Sequence, residues 1–310
     1  MKKITHFIMV LLLSVILFSD VQLVTAGASE GLVLWLRTVI PSLFPFLFLS
    51  AYMMNSGFTE ILAGTIGQKL SKLLRISPVS SIALLCGVVF GCPAGAKCID
   101  DLYHENLITF REAEFLLSFC NNTSPAFVVS YCVTDQLKRT DFILPSLLIF
   151  YTGIFLSAFL YRFTFYRNLT VRKSLIAETR KPMDVGENMD VSIESGCGIL
   201  IRLGGYLMLF SILIRMIKSV LPVNFVGGSL LSATMEMTNG IQMICSSNIS
   251  FDLKYVLCMW LCSFGGWCCV CQTQSVTVGS GFPIKSYLKE KLATATVSSF
   301  IAFIFICLTE

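Results

Sequence analysis

The chain has 310 residues, of which 55% are hydrophobic and only 14% are charged, and its formal net charge is +4. Soluble globular domains contain about a quarter charged residues, so this composition, with a mean hydropathy of +0.76, excludes an ordinary soluble protein. The small net charge gives no reason to expect a nucleic-acid partner. We therefore expect a protein whose main partner is the lipid bilayer.

Apolar segments follow one another along the whole chain, and several approach the roughly 20 residues needed to span hydrocarbon. They cover residues 4–19, 32–54, 80–96, 113–133, 142–161, 198–217, 229–245, 254–276 and 292–308. The segments 80–96 and 229–245 are short and end in motifs rich in Gly, Pro and small polar residues, so we predict two re-entrant hairpins there. Residues 60–75 have the pattern of an amphipathic helix at the membrane surface.

The first 30 residues permit two interpretations. Lys2 and Lys3 followed by the apolar run 4–19 describe an N-terminal transmembrane helix. The same run followed by Thr25-Ala26-Gly27-Ala28 also describes a signal peptide. Both interpretations leave the topology of the rest unchanged.

The distribution of Lys and Arg supports two hairpins rather than two further crossings. With the N-terminus in the cytoplasm, the positive residues left outside are Arg37, Lys138, Arg139, Arg215, Lys218 and Lys254. The cytoplasmic side then receives the others, including Lys291 and the charge-rich linker 162–197, which also contains Pro182 and Gly186. This satisfies the positive-inside rule.

The linker 162–197 separates two halves with the same predicted elements. Each half, 31–161 and 198–310, has one span, a hairpin, a broken span and a closing span. Three crossings per half make the second half upside-down relative to the first, a transporter arrangement. The fold class we predict is an all-α polytopic membrane protein with an inverted-repeat, transporter-like core, two re-entrant hairpins and broken helices.

Polar residues interrupt the apolar segments at corresponding places in both halves, and such interruptions indicate a mid-membrane binding site. The candidate substrate-binding residues are Asn121, Asn122, Thr123, Ser124, Glu236, Thr238, Asn239, Gln272, Thr273 and Gln274. The alternative is that these side chains cap half-helices and hydrogen-bond across the bundle. Gly91, Pro93 and Gly95 are predicted to form the tip of the first hairpin, with any ligand contact made by N–H groups at a half-helix start.

Glu236 is the acidic residue predicted to lie deepest in the membrane. A charged carboxylate at the bilayer centre costs about 2.5–3.5 kcal/mol on insertion scales, so such residues are usually paired or functional. We expect either binding of a proton, a cation or a basic group of the solute, or an ion pair with Arg202 or Arg215.

Several motifs resemble one known family. They are Gly31-Leu32-Val33-Leu34-Trp35, Pro41-Ser42-Leu43-Phe44-Pro45-Phe46, Gly91-Cys92-Pro93-Ala94-Gly95-Ala96-Lys97, Asn121-Asn122-Thr123-Ser124-Pro125, Glu236-Met237-Thr238-Asn239-Gly240-Ile241, Phe264-Gly265-Gly266-Trp267, Gln272, Tyr287 and Lys291-Leu292. From about residue 31 onward the chain is similar to the sporulation integral membrane protein family of the YlbJ type.

The resemblance implies a multi-pass protein of the inner membrane of endospore-forming bacteria, needed for proper spore formation. It also implies a nucleoside recognition (Gate) domain, which that family shares with concentrative nucleoside transporters and ferrous-iron transporters. The first hairpin lacks a clear copy of the acidic substrate-binding motif of the nucleoside carriers.

No motif predicts a metal, a cofactor or an enzyme. The 13 cysteines include no CxxC pair with a partner pair, and His6 and His104 are the only imidazoles. Scattered membrane cysteines usually behave as small apolar residues. The sequence contains neither HExxH nor a phosphate-binding glycine loop.

The function we predict is binding and transport of a small polar solute or ion at a mid-membrane site. The alternative is a membrane scaffold in spore-envelope assembly that keeps the transport core only as a fold. Oligomer formation is compatible with both.

Overall fold

The computed structural model describes residues 20–58, 61, 63–171, 183–220 and 226–309, and the single positions 7, 10, 11, 14, 15, 17 and 18. All regular structure in these residues is helical. The described positions between 7 and 18 are helical. The rest of the predicted segment 4–19, and residues 172–182 of the predicted linker, lie outside the described residues.

The first helices form a bent pair. Helix α1, Val21–Leu34, continues through a π-helical turn, Trp35–Val39, into α2, Ile40–Asn55. The two arms are bent by 58°, next to Pro41, which has no N–H to donate. Asp20 caps α1 by accepting a hydrogen bond from the Leu23 N–H at 3.0 Å. The predicted span 32–54 therefore has the wrong start, because this cap begins the helix at Val21.

The first hairpin comprises residues 80–104. A π-helical turn, Ala63–Gly67, and α3, Gln68–Leu74, precede it. Helix α4, Ser80–Leu85, extends through a π-helical turn, Cys86–Phe90, and α5, Ala94–His104, returns. The two arms of the hairpin pack closely, since a Cβ added at Gly95 in α5 would lie 3.0 Å from Gly87 Cα.

The segment 113–133, predicted to be a broken span, is interrupted in the structure. Helix α6, Phe110–Cys120, ends at a stretch of residues 121–125 that we call the first break. A π-helix, Phe127–Gln136, follows it. A 3₁₀ turn, Thr140–Phe142, then leads into α7, Ile143–Thr164.

The second half also contains a long helix, a helical hairpin, a broken helix and a closing helix. Helix α8, Val185–Val220, has 36 residues, about 54 Å at 1.5 Å per residue, and begins inside the predicted linker. The second hairpin, residues 226–246, consists of α9, Val226–Met235, and α10, Met237–Ser246. Helices α11, Phe251–Phe264, and α12, Gly266–Val276, meet at Gly265 and Gly266, the second break. Helix α13, Ile284–Thr309, closes the half.

The described helices include four continuous stretches long and apolar enough to cross a membrane, and the bent pair makes a fifth. The four are Thr140–Thr164, Val185–Ser219, Phe251–Val276 and Ile284–Thr309. Helix α13 exposes Phe300 and Phe303 but buries Thr294 and Ser298. Apolar residues outside and small polar residues between helices are typical of helices packed in lipid. The prediction of an all-α multi-pass membrane protein is confirmed.

Two of the positive charges counted for the cytoplasmic side are buried in the fold. Arg162 is 3% exposed, and Lys291 is 2% exposed within α13. Arg162 donates to the carbonyl oxygens of Leu74 (2.6 Å) and Arg75 (3.2 Å), where α3 ends. Counting charges along the sequence assigns a side of the membrane and does not show whether a side chain is buried.

Candidate functional site

The tip of the first hairpin packs directly against the first break. The Cys92 N–H donates to the Asn122 carbonyl oxygen at 2.5 Å. Gly91 has φ +78°, and a Cβ there would lie 2.6 Å from Ser124 N. Only glycine allows both this backbone conformation and this approach. The sequence Gly91-Cys92-Pro93 therefore fixes where the hairpin tip meets the broken helix.

The tip of the second hairpin packs in the same way against the second break. A Cβ added at Gly266 would lie 3.0 Å from the Thr234 carbonyl oxygen and 3.3 Å from Met237 N. In each half, the hairpin tip therefore contacts the interruption of the broken helix that follows it.

Hydrogen bonds join the two halves at this junction. Thr123 Oγ1 donates to the Cys262 carbonyl oxygen at 2.6 Å. Tyr131 Oη donates to the Thr238 carbonyl oxygen at 2.9 Å, which links the π-helix to the second hairpin. The two breaks and the two tips thus form one structural centre.

A cavity of about 100 Å³ lies at this centre. Both hairpin tips, the first break, the π-helix, the bent pair, α8 and α12 contribute to its wall. Its polar and thiol lining residues are Thr38, Cys92, Thr123, Ser124, Ser130, Tyr131, Glu236, Thr238, Cys268, Cys269 and Gln272. A cavity of about 150 Å³ holds benzene, so this cavity fits a monovalent cation with some water, or a solute of only a few heavy atoms.

Glu236 caps the second hairpin's returning helix and also lines the cavity. Its Oε1 accepts from the Thr238 N–H at 2.9 Å. Its Oε2 accepts from the Asn239 N–H at 2.9 Å and from Asn239 Nδ2 at 3.0 Å. These donors and the positive end of α10 stabilise a carboxylate that is 3% exposed.

The expected ion pair of Glu236 with Arg202 or Arg215 is wrong. Arg215 pairs with Glu30, and Arg202 is exposed. In the part of the chain that the structure describes, Glu236 forms no ion pair. The backbone of α10 supplies the donors that an arginine was expected to supply.

A second buried group, the lysine cluster, consists of Asn121, Asn122, Thr273, Tyr287 and Lys291. Asn121 Nδ2 donates to Thr273 Oγ1 at 2.6 Å and to Tyr287 Oη at 2.9 Å. The Lys291 ammonium donates to the Asn121 carbonyl oxygen at 3.2 Å and to Asn122 Oδ1 at 2.8 Å. Asn122 Nδ2 also donates to the carbonyl oxygen of Phe119 in α6.

The predicted site residues are divided between these places. The cavity wall includes Thr123, Ser124, Glu236, Thr238 and Gln272. Asn121, Asn122 and Thr273 belong to the lysine cluster, and Asn239 holds Glu236 from the half-buried face of α10. Gln274 is exposed and lines a different cavity, of about 130 Å³, beside Thr277 and Phe282.

The predicted tip residues of the first hairpin have architectural contacts. Gly91 is the turn itself, and Pro93 stands immediately before α5. Gly95 and Gly87 face the end of α6, because an added Cβ would lie 2.1 Å and 1.6 Å, respectively, from the Cys120 carbonyl oxygen.

Sequence reasoning missed Cys92, Tyr131, Cys269 and Lys291 as members of the centre. A lysine seven residues inside α13 was itself a signal, because a charge within a spanning segment is usually functional or paired. Cys92, Tyr131 and Cys269 carried no comparable signal. Tyrosine and cysteine are ordinary inside helical bundles, and only the packing brings these three together.

Comparison with known proteins gives one curated relative. No family model matches the chain, and no solved structure matches it. The chain is 23% identical over 326 residues to the sporulation integral membrane protein YlbJ of Bacillus subtilis (strain 168), covering 91% of this chain and 77% of that protein. This similarity and the apolar helices identify a multi-pass membrane protein.

Proposed function

We propose that this protein binds a small cation, or a small polar solute rich in hydrogen-bond donors, in the central cavity and carries it across the inner membrane during sporulation. The observation that carries the proposal is the composition of the cavity wall. Both hairpin tips, the first break and α12 converge on one space of about 100 Å³, with the Glu236 carboxylate in its wall.

The charge of the wall favours cations and donors over anions. A carboxylate accepts hydrogen bonds and donates none, and Glu236 is held by the N–H groups of Thr238 and Asn239 and by the Asn239 amide. Its negative charge in the cavity wall attracts a cation or a hydrogen-bond donor and repels an anion. The hydroxyls of Thr123 and Ser124 and the amide of Gln272 add further polar groups.

The size of the cavity argues against a nucleoside in this conformation. Pockets for drug-sized ligands have about 300–1,000 Å³, several times the volume found here. A nucleoside would require the hairpin tips to separate. The solute we propose is therefore smaller than the ligand that the name of the Gate domain suggests.

Transport would use the two hairpins as re-entrant elements of inverted repeats. In such carriers, the two repeats move relative to each other around a fixed mid-membrane site. The contact of each hairpin tip with the break of its own half supports this idea, because one half could move as a unit. Opening from either side would break the cross-half hydrogen bonds of Thr123 and Tyr131.

The scaffold function is the second candidate, and a specific observation favours it. The hydroxyls of Thr123 and Tyr131 already have partners on the other half of the molecule, as does the Asn121 amide. Polar residues that hold helices together in this way need no ligand. The Glu236 carboxylate, which lies in the wall of a cavity, favours transport over this alternative.

Thermal unfolding of the purified protein in nanodiscs tests the proposal. Small inorganic and organic cations, small amides and nucleosides would be added at constant ionic strength, with choline as the replacement ion. We expect one class of small ligand to raise Tm of the wild type and of Glu194→Gln, an identical change at an exposed site on α8, but not of Glu236→Gln. No stabilising ligand, or equal stabilisation of all three proteins, would contradict the proposal.

A further inference from the structure

The lysine cluster is built from the ligand types that hold a monovalent cation. The two acceptors of the Lys291 ammonium are a backbone carbonyl oxygen and a side-chain amide oxygen, both at the first break. Carbonyl groups of unwound helices, and the negative C-terminal ends of half-helices, coordinate Na⁺ in membrane carriers. Here they coordinate an ammonium group.

The buried ammonium has no carboxylate partner. Lys291 is absent from the ion pairs found among the described residues. The adjacent Glu290 is engaged elsewhere, since its Oε1 accepts from Tyr166 Oη at 2.8 Å. Neutral oxygens and the end of α6 therefore stabilise this charge, as they would stabilise a bound alkali ion.

A further oxygen of the cluster has no partner. Asn121 Oδ1 is buried without a hydrogen-bond donor in the part of the chain that the structure describes. An ammonium has three donors, and the structure assigns two of those of Lys291. The cluster thus contains a buried oxygen that no donor among the described residues satisfies, which is costly for a purely structural contact.

The ammonium also lies next to the contact that positions the first hairpin. Asn122 gives its side-chain oxygen to Lys291 and its backbone oxygen to the Cys92 N–H. A cation at the first break therefore holds the residue on which the hairpin tip docks.

We propose that the first break is a monovalent-cation site whose cation is the chain's own Lys291. The lysine replaces a dissolved ion, so docking of the first hairpin requires no alkali cation from solution. Removing the side chain beyond Cβ leaves the oxygens in place and turns the cluster into a site for Na⁺, K⁺ or a small alkylammonium. This inference stands independently of transport through the central cavity.

The test compares Lys291→Ala with the wild type and with Lys289→Ala, which removes an exposed lysine from the same helix. Tm of the full-length protein in nanodiscs would be measured in choline, Na⁺, K⁺ and ethylammonium chlorides at constant ionic strength. We expect Lys291→Ala to have the lowest Tm in choline and to regain stability, in a saturable way, with at least one of the other cations. Such saturation is the linkage expected of a ligand that binds only the folded state.

A double variant, Lys291→Ala with Glu236→Gln, separates this site from the central cavity. The cation response gained by Lys291→Ala should persist in it, whereas a response arising at Glu236 should vanish. Equal cation responses of Lys291→Ala, Lys289→Ala and the wild type would overturn the inference.

Lys291→Ser provides a second test, because it adds a hydroxyl oxygen to the vacated site. If Lys291→Ala does not accumulate, Lys291→Ser should accumulate and show the cation response. Failure of both variants to fold in every cation would also overturn the inference, since a true cation site should be refilled from solution.

Discussion

The two breaks occupy corresponding places in the two halves, yet different forces hold them. The first break is polar, and three side chains of the second half bind it: Thr273, Tyr287 and Lys291. The second break is a pair of glycines at φ +84° and +78°, with backbone packed closely against it. The first interruption is therefore stabilised by hydrogen bonds and charge, and the second by close backbone packing.

The two hairpin tips differ in the opposite sense from the two breaks, because the charged tip is the second one. The first tip, Gly91-Cys92-Pro93, is uncharged and docks through its backbone, whereas the second tip carries Glu236. The buried ammonium of Lys291 thus contacts the first break, and the buried carboxylate of Glu236 lies at the second tip. The difference teaches that side chains of the second half hold the first break, while the second tip places a carboxylate in the cavity wall.

The largest loss of stability is expected where the packing leaves no room for a side chain. Gly87→Ala would place a Cβ 1.6 Å from the Cys120 carbonyl oxygen, so α4 or α6 must move. We expect a loss at or above the upper end of the usual overpacking cost of about 1–3 kcal/mol, seen as little folded protein in the membrane. Gly198→Ala, with open space around the new Cβ, should retain wild-type levels. Normal accumulation of Gly87→Ala would show that the hairpin docks differently.

The next largest effect should distinguish Asn122 from Gln272, two amides that the sequence analysis assigned to the same binding site. Asn122→Ala removes an acceptor of the buried Lys291 ammonium, and leaving a buried charged group unsatisfied costs at least about 1–3 kcal/mol. The Gln272 side-chain amide donates to the Cys268 thiol at 3.0 Å, a weak acceptor, so Gln272→Ala should cost less than about 1 kcal/mol. Thermal unfolding of both variants checks the order, and a reversed order would contradict the assignment of Asn122 to the lysine cluster.

A smaller effect on stability is expected from Glu236→Asp. Aspartate is among the best N-cap residues, whereas Ala at a cap costs about 0.5–2 kcal/mol. Glu236→Asp should therefore unfold near the wild-type temperature, yet bind the cavity ligand more weakly because the carboxylate is withdrawn by one methylene. Glu236→Ala should lose both stability and binding. Unchanged binding in Glu236→Asp would make Glu236 a cap and nothing more.

The last effect is local and is expected where α5 contacts the loop before α13. Ser280 Oγ donates to Asp100 Oδ1 at 2.5 Å, and the neighbouring Phe282 ring lies 5.4 Å from that of Tyr103. These contacts tie the loop before α13 to α5. Because the hydrogen bond is partly exposed, Ser280→Ala should cost only about 0.5–1.5 kcal/mol. Hydrogen exchange should rise in α5 near residue 100 and stay unchanged in the second hairpin; a rise in both would mean that the two hairpins are not held separately.

The sequence predicted an all-helical membrane protein with interrupted helices, because local residue patterns carry that information. Gly91 and Gly265 mark positive φ angles, Pro125 stands at the end of the first break, and apolar runs mark the spans. It did not predict that Asn122 and Gln272 serve different sites, because their partners lie far away in sequence. Lys291 was assigned to the cytoplasm because a lysine near the start of an apolar run resembles a flanking charge until its oxygen ligands are seen.

The central claim is that the space between the hairpin tips is a ligand site reached from both sides of the membrane. Cys269 lines that space, so a variant with Cys269 as its only cysteine can report access. A small cationic thiosulfonate would be applied to right-side-out or inside-out vesicles, with a thiol scavenger on the opposite side. The account predicts modification from both sides, slowed by the bound ligand and by Glu236→Gln. A Cys269 that reacts from neither side, and only after unfolding, would contradict it and favour the scaffold.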